Sequence, residues 1–453
     1  MRHSFPATAA ARRARFPVAS LPVASLPVAS LLVASLLVAG GLAVAPVTAL
    51  QAQGAVSIPN DHPAIKSALE AIQRDNAWTL DQQVSICEIP APPFKEEARA
   101  AEMKRRFEAL GLSPVTIDSI GNVIAERKGT GRGPTVAIAG HLDTVFPEGT
   151  AVTVTREGTK MSAPGIGDDC RGLATVLAVA RAMQNAKIET PGTILFIANV
   201  GEEGPGNLRG MRYLFRKPPM KIDYFISVDG TGLGLTTGAV GSHRYLVEYH
   251  GPGGHSYGAF GMANPIHALG RAIARISEFQ VPASPKTTFN VGKISGGTSV
   301  NTISPLGSME VDMRSESPEE LAKVDAQFQA ALQSALREEN ARWPNARDTV
   351  ALRITDMGIR PASQVNDTSF IARTALSAGK SLGFTAPTGA SSTDANIPMS
   401  LGIASITIDG GGIGRGAHSL AESYDDGAEG YKGPQWALLI VSALSGLTAR
   451  MVQ

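Results

Sequence analysis

Four short apolar runs constrain the fold of this chain more than any other feature: TVAIAG (135–140), TILFIANV (193–200), DYFISV (223–228) and ASITID (404–409). Each is rich in Val, Ile, Phe or Ala and too short for a helix, so each reads as a buried strand. The runs GLATVLAVARAMQ (172–184) and SFIARTALSAGKSLG (369–383) read as helices between or beside them. That alternation predicts an α/β fold, a mixed, mostly parallel sheet flanked by helices on both faces. Ahead of it, HPAIKSALEAIQ (62–73) and KEEARAAEMKRRFEALGL (95–112) carry apolar residues three or four apart and are split by the breaker PAPP (90–93). They read as helices too.

Between about 240 and 352 the pattern changes. Strand HRYLVEYH, helix PIHALGRAIARISEF, strands TTFNVGKIS and SMEVDMRS, helix SPEELAKVDAQFQAALQSALREEN and strand TVALRITD follow one another as βαββαβ. This is the order of a complete small α+β domain. The expected organisation is therefore a larger domain in two parts, 53–239 and 353–453, with a domain inserted at 240–352. An inserted domain of this kind commonly forms one wall of a cleft.

The first 52 residues stand apart. Arg2, Arg12, Arg13 and Arg15 precede the repeated PVASL stretch and a small-residue end with plausible cleavage after Ala49 or Ala52. This is the layout of a secretory signal. Pro22 and Pro27 interrupt the apolar run, whose continuous part from about Leu31 to Val47 is short for a membrane span. The expectation is a periplasmic or secreted protein with no stable membrane association after cleavage, the alternative being an uncleaved membrane anchor. Only Cys87 and Cys170 occur, so no disulfide framework is expected, and two free thiols are the preferred reading. A net charge of +1, from 41 basic and 40 acidic residues, argues against a nucleic-acid partner and for a small molecule or peptide.

Each apolar run leads into residues that suit a divalent metal. His141 and Asp143 follow the first, Glu202 and Glu203 the second, Asp229 the third, and His418 follows the fourth after the loop DGGGIGRGA. Between the first two, APGIGDDCRG supplies Asp168 and Asp169 just before a helix. Taken singly, these are ordinary turn and cap residues. In an open α/β sheet, however, the crevice lies at the carboxyl ends of the strands, where they can converge. Two histidines with three or four carboxylates form an N/O donor set suited to zinc, with Co2+ or Mn2+ as alternatives.

These residues also carry a resemblance. GHLDTV, GIGDD, GEEG, SVDG and GAHS, in that order and spacing, resemble the dizinc metallopeptidase family of acetylornithine deacetylase, succinyl-diaminopimelate desuccinylase, glutamate carboxypeptidase and tripeptidase. The resemblance implies a zinc-peptidase fold with an inserted lid and dimerisation domain. It implies one zinc on His141, Asp168 and Asp229, and a second on Asp168, Glu203 and His418, with Asp168 shared. It further implies that Asp143 orients the His141 ring, that Glu202 is the general base, and that the Asp168–Asp169 peptide is cis. The chain departs from many relatives in reading DDCRG, which puts Cys170 near the metals.

The implied reaction is hydrolysis of a peptide or amide bond in a small peptide or N-acyl amino acid. His255, in GPGGHS, matches the family position that reaches a neighbouring subunit's site, which implies a homodimer and a donor to the oxyanion. His243, His250 and His267 read as structural. Asn301, Arg314 and Arg360 fall where relatives place groups near a substrate carboxylate, and Thr393 and Asp394 in SSTDAN resemble a loop near the cleft. The cues for tripeptidase and for deacylase or carboxypeptidase specificity conflict. Two rivals stand beside this reading. GHSYG (254–258) fits a Gly-x-Ser-x-Gly serine hydrolase with Ser256 as nucleophile, but Pro265 precedes the next helical run. The other rival is a non-catalytic peptide-binding protein on the same scaffold.

Overall fold

A computed structural model describes residues 56–343 and 348–447. The expected signal segment, 1–52, lies outside the described residues. No helix among the described residues is long and apolar enough to cross a membrane.

The larger sheet has eight strands. From one edge to the other they are Val115–Ile117, Val123–Arg127, Ile194–Asn199, Val136–His141, Tyr224–Val228, Ala404–Ile408, Leu235–Ala239 and Thr388–Ser391. The four apolar runs are the four central strands and run parallel to one another. Antiparallel pairs join Val115–Ile117 to Val123–Arg127, that strand to Ile194–Asn199, and Ala404–Ile408 to Leu235–Ala239.

Period-two packing explains why the central strands are apolar throughout. Val136, Ile138, Ile194, Phe196 and Ala198 point to one face, into a core shared with helices Cys170–Asn185 and Lys432–Leu444. Ala137, Ala139, Leu195 and Ile197 point to the other, against Met211 and Leu214 of helix Arg209–Arg216. Helix Lys432–Leu444 is apolar nearly all round because it is buried nearly all round, and its Trp436 donates Nε1–H to the Ala375 carbonyl at 2.8 Å.

The inserted unit is a separate four-stranded antiparallel sheet. Its order is Thr287–Gly296, Leu306–Ser315, Gly241–His250, Ala351–Arg360. Helices Pro265–Ile276 and Pro318–Arg342 pack on it around Tyr249, Phe328 and Leu332. Asn264 and Ser317 cap these helices, each just ahead of a proline at the first helical position. Its last strand continues to Arg360, past the expected boundary at 352, because residues through Arg360 pair with Ser242 and its neighbours.

Candidate metal centre and cleft

Parallel register delivers the site residues to one sheet edge. His141 pairs with Asn199, so the imidazole emerges beside the turn carrying Glu202 and Glu203. Val228 pairs with Ile408, so Asp229 emerges beside Asp409. Asp168 arrives from a loop ahead of helix Cys170–Asn185, and its peptide bond to Asp169 is cis. Asp169 caps that helix through the Gly172 N–H and also accepts the His141 backbone N–H at 2.9 Å. One carboxylate thus fixes both the helix start and the strand end.

Asp168 lies between two histidines. Its Oδ1 is 3.0 Å from His141 Nε2 and its Oδ2 is 3.0 Å from His418 Nε2, while Glu203 Oε1 is 2.9 Å from the same His418 nitrogen. Ligand atoms of His141, Asp168 and Asp229 lie within 4.8 Å of one another, as do those of Asp168, Glu203 and His418. These are the two expected ligand sets, joined through Asp168. His141, Glu202 and Glu203 form a third such group. His418 adopts a positive φ of 64° at the end of its glycine-rich loop and is the exposed member of the cluster.

Electrostatics suit a cationic guest. Burial and the neighbouring Asp168 carboxylate push the Asp229 carboxyl well above its ordinary range. Burial opposes charge on Asp168, yet hydrogen bonds from both imidazoles hold it well below the carboxylate range. Hydrogen bonds to Asp168 and Glu203 raise His418 to about 10. A crowd of buried carboxylates with two imidazoles as its counterweight is a donor set that divalent metals fit.

Glu202 is buried and its carboxyl is raised, chiefly by burial, with Arg360 opposing and Glu203 adding to the rise. Arg360 Nη1 donates to Glu202 Oε1 at 2.9 Å and to Ser392 Oγ at 3.0 Å, and Nη2 donates to the Glu202 carbonyl. Arg360 lines the cavity, and in this structure its terminal nitrogens are engaged by Glu202 and Ser392. Asp143 differs from expectation. Its backbone carbonyl meets His141 Nδ1 at 3.0 Å, while its carboxylate stands 3.8 Å from that nitrogen. The carboxylate instead accepts the backbone N–H groups of Glu202 at 3.0 Å and Glu203 at 2.8 Å.

A cavity of about 530 Å³ opens at the cluster, lined by Asp168, Glu203 and His418 and also by Arg244 and Arg314 of the inserted sheet. Arg314 Nε donates to Asp312 at 2.8 Å and Arg244 Nε to the same carboxylate at 2.9 Å. Thr393 lines the cavity, and Asp394 is buried behind it, accepting from Asn199 at 2.7 Å.

His255 and Asn301 are not among the residues lining this cavity. They lie together on the inserted unit, where the Asn301 carbonyl accepts the Ser256 N–H at 2.9 Å and His255 Nδ1 accepts from Tyr257 and Gly258. Ser256 is followed by turns, with no helix until Pro265, so the strand-turn-helix context of a serine hydrolase does not form there. Cys87 and Cys170 are both buried and free.

Three site residues carried no signal that sequence reasoning used. Glu422 accepts the N–H groups of Gly165, Gly167 and Asp168 at 2.8 to 3.0 Å and so shapes the loop that presents Asp168. Its place four residues after His418 was the available clue. Arg244 and Asp409 line the cavity, and Asp409, the last residue of ASITID, could have been read as a fourth strand-end carboxylate.

A family model described as peptidase family M20/M25/M40 matches residues 137–432. An uncharacterised protein, YqjE, of Bacillus subtilis is 26% identical over 275 residues, covering 58% of this chain and 73% of that protein. Acetylornithine deacetylase of Vibrio atlanticus is 28% identical over 261 residues, covering 54% and 66%. Among solved structures, aminopeptidase PepT of Bacillus cereus aligns with a TM-score of 0.67 at 21% identity, over 81% of this chain and 98% of that one. The YXEP protein of Bacillus subtilis, described as a dinuclear metal-binding peptidase, aligns with a TM-score of 0.58 at 19% identity, over 82% and 98%. A match over well over half of the chain, spanning every strand end that feeds the cluster, shows that the chain belongs to peptidase family M20/M25/M40, whose members are metallopeptidases and amidohydrolases.

Proposed function

We propose that the chain is a dinuclear metal hydrolase that cleaves the amide or peptide bond of a small peptide or an N-acyl amino acid. The observation that carries this reading is Asp168, whose two oxygens face His141 and His418 separately, with Asp229 completing one ligand group and Glu203 the other. The mixed imidazole and carboxylate donors favour zinc, with Co2+ or Mn2+ as substitutes. When bound, such cations supply Lewis acidity toward a carbonyl and make water nucleophilic near neutral pH.

The chain's own residues supply the proton path. Glu202 takes the proton of the attacking water and delivers it to the departing nitrogen, since an amide nitrogen leaves poorly unless protonated. Its raised carboxyl suits a group that must both accept and give back a proton. Arg360 fixes the Glu202 carboxylate, and Asp143 fixes the Glu202–Glu203 backbone. Arg314, which lines the cavity, offers its terminal nitrogens to a substrate carboxylate.

His255 and Asn301 act from a second copy of the chain in this reading, which makes the protein a homodimer whose inserted unit completes the partner's cleft. The exposed side chains of Tyr257, Phe260 and Val300 beside them support it. The basic, apolar and small-residue order of 1–52 supports export to the periplasm or beyond.

The test is a panel of free-amino tripeptides, dipeptides and N-acyl amino acids offered to the zinc-loaded enzyme. Turnover that a chelator abolishes and serine-directed acylation spares is expected, and Glu202→Gln should lower kcat by about a thousandfold with metal retained. Binding of peptide without turnover would overturn the hydrolase reading. Mixing Glu202→Gln and His255→Ala chains tests the shared site: partial recovery of activity is expected, and none would place His255 outside it.

A further inference from the structure

Four parallel central strands end at the cluster, and three of them lead directly to a ligand candidate. His141 ends its own strand, Asp229 follows Val228, and Glu203 lies in the turn after Asn199. The fourth, Ala404–Ile408, delivers Asp409. Since Ile408 is the register partner of Val228, Asp409 leaves the sheet alongside Asp229, one strand further on. It lines the same cavity, yet it joins none of the three groups of ligand atoms.

The surroundings of this carboxylate are specific. Its Oδ2 accepts the Gly234 N–H at 2.7 Å. A Cβ at Gly230, Gly232 or Gly234 would stand 3.1, 2.9 or 2.9 Å from its oxygens, and Gly230 and Gly232 hold φ values of 102° and 109°. The loop DGTGLG (229–234) is thus a glycine collar that leaves room for one carboxylate. Among the described residues no Lys, Arg or His pairs with Asp409 within 4.0 Å; the cavity's guanidiniums turn to Asp312 and Glu202 instead. A half-buried anion that faces a cavity without a cation of its own is costly unless a partner arrives with the ligand.

We propose that Asp409 reads a protonated primary amine of the substrate, so that the site selects substrates bearing a free ammonium over otherwise similar ones without it. This rests on the hydrolase reading above and narrows it. An ammonium offers three donors and a compact charge, which a single collared carboxylate matches. The bond is charge-assisted, and the same cavity is lined by Arg314, so it offers both a cationic and an anionic group to a ligand. The amine can be the α-amino group of a peptide or the side-chain amine of an acylated basic amino acid.

Two matched pairs separate these sources in the metal-loaded, full-length enzyme: trialanine against N-acetyl-trialanine, and Nα-acetyl-lysine against Nα-acetyl-norleucine. The wild type should favour the ammonium-bearing member of at least one pair in kcat/KM. In Asp409→Asn, which keeps an acceptor for Gly234, that preference should fall about tenfold or more, chiefly through KM. The pair that collapses identifies the amine. Asp409→Ser, smaller and uncharged, gives the same comparison independently of how an amide would sit. No preference in either pair, or an equal loss on both members, would overturn the proposal. Binding of a phosphinic tripeptide analogue, with and without an N-acetyl group, keeps the two readings apart. Failure of the wild type to turn over any substrate would sink the hydrolase reading, while the change in binding preference on substitution still decides the role of Asp409.

Discussion

Asp143 shows how one side chain sets a site without touching its reacting atoms. Its buried carboxylate accepts two successive backbone N–H groups, at Glu202 and Glu203, and so holds the proposed proton carrier and a metal-ligand candidate in one fixed turn. Asp143→Asn, which turns one acceptor into a donor, should weaken metal affinity by about tenfold, measured by competition with a chelator; unchanged affinity would show that the turn holds itself. Arg360 makes the corresponding electrostatic prediction. It is the largest influence drawing the Glu202 carboxyl downward against burial, so Arg360→Met should raise that pKa and move the acid limb of the kcat profile to higher pH. A limb that stays in place would mean that Glu202 is not the group titrating. Residue types were legible in the sequence at this scale, since GHLDTV, GIGDD, GEEG, SVDG and GAHS name the ligand candidates outright. Partners were less so. An aspartate two residues from a histidine suggests a side-chain contact, whereas in the folded chain the Asp143 backbone serves His141 and its carboxylate serves the turn after Ile194–Asn199.

Among the elements, the central strands were read correctly because burial on both faces leaves an unbroken apolar run, a pattern visible without coordinates. The short edge strands Val115–Ile117 and Thr388–Ser391 carry no such pattern, and only their neighbours' register defines them. Loop geometry was illegible for a related reason. The 165–168 loop is shaped by Glu422, a residue more than two hundred positions away that accepts three of its backbone N–H groups. Glu422→Ala would leave those donors buried and unpaired, at a cost of about 3 kcal/mol, and it should loosen Asp168. A fall in melting temperature together with metal content would agree; full metal content at an unchanged melting temperature would not. The helix behind that loop depends on Gly172, where a Cβ would stand 2.1 Å from Asp169 Oδ1 and 2.3 Å from the Val228 carbonyl. Gly172→Ala should therefore push helix and sheet apart and destabilise the fold by about 3 kcal/mol, checked by denaturant unfolding.

At the scale of the whole molecule, one sheet collects charges that would otherwise repel, and the inserted unit contributes arginines to the cavity beside them. Folding and metal binding are coupled in such an arrangement, because the native chain offers a donor set that the unfolded chain lacks. Saturating zinc should raise unfolding stability by about 2.7 kcal/mol for each site filled at a hundredfold excess over Kd, and a chelator should remove the gain. The separate antiparallel sheet follows the βαββαβ order seen in the sequence, and its last strand runs on to Arg360 with no change of composition to mark its end. The most direct test of the account is anomalous diffraction from crystals of the zinc-loaded enzyme. Two peaks sharing Asp168 are predicted, one within reach of His141 and Asp229 and the other of Glu203 and His418; a single peak, or metals bound without Asp168 between them, would contradict it.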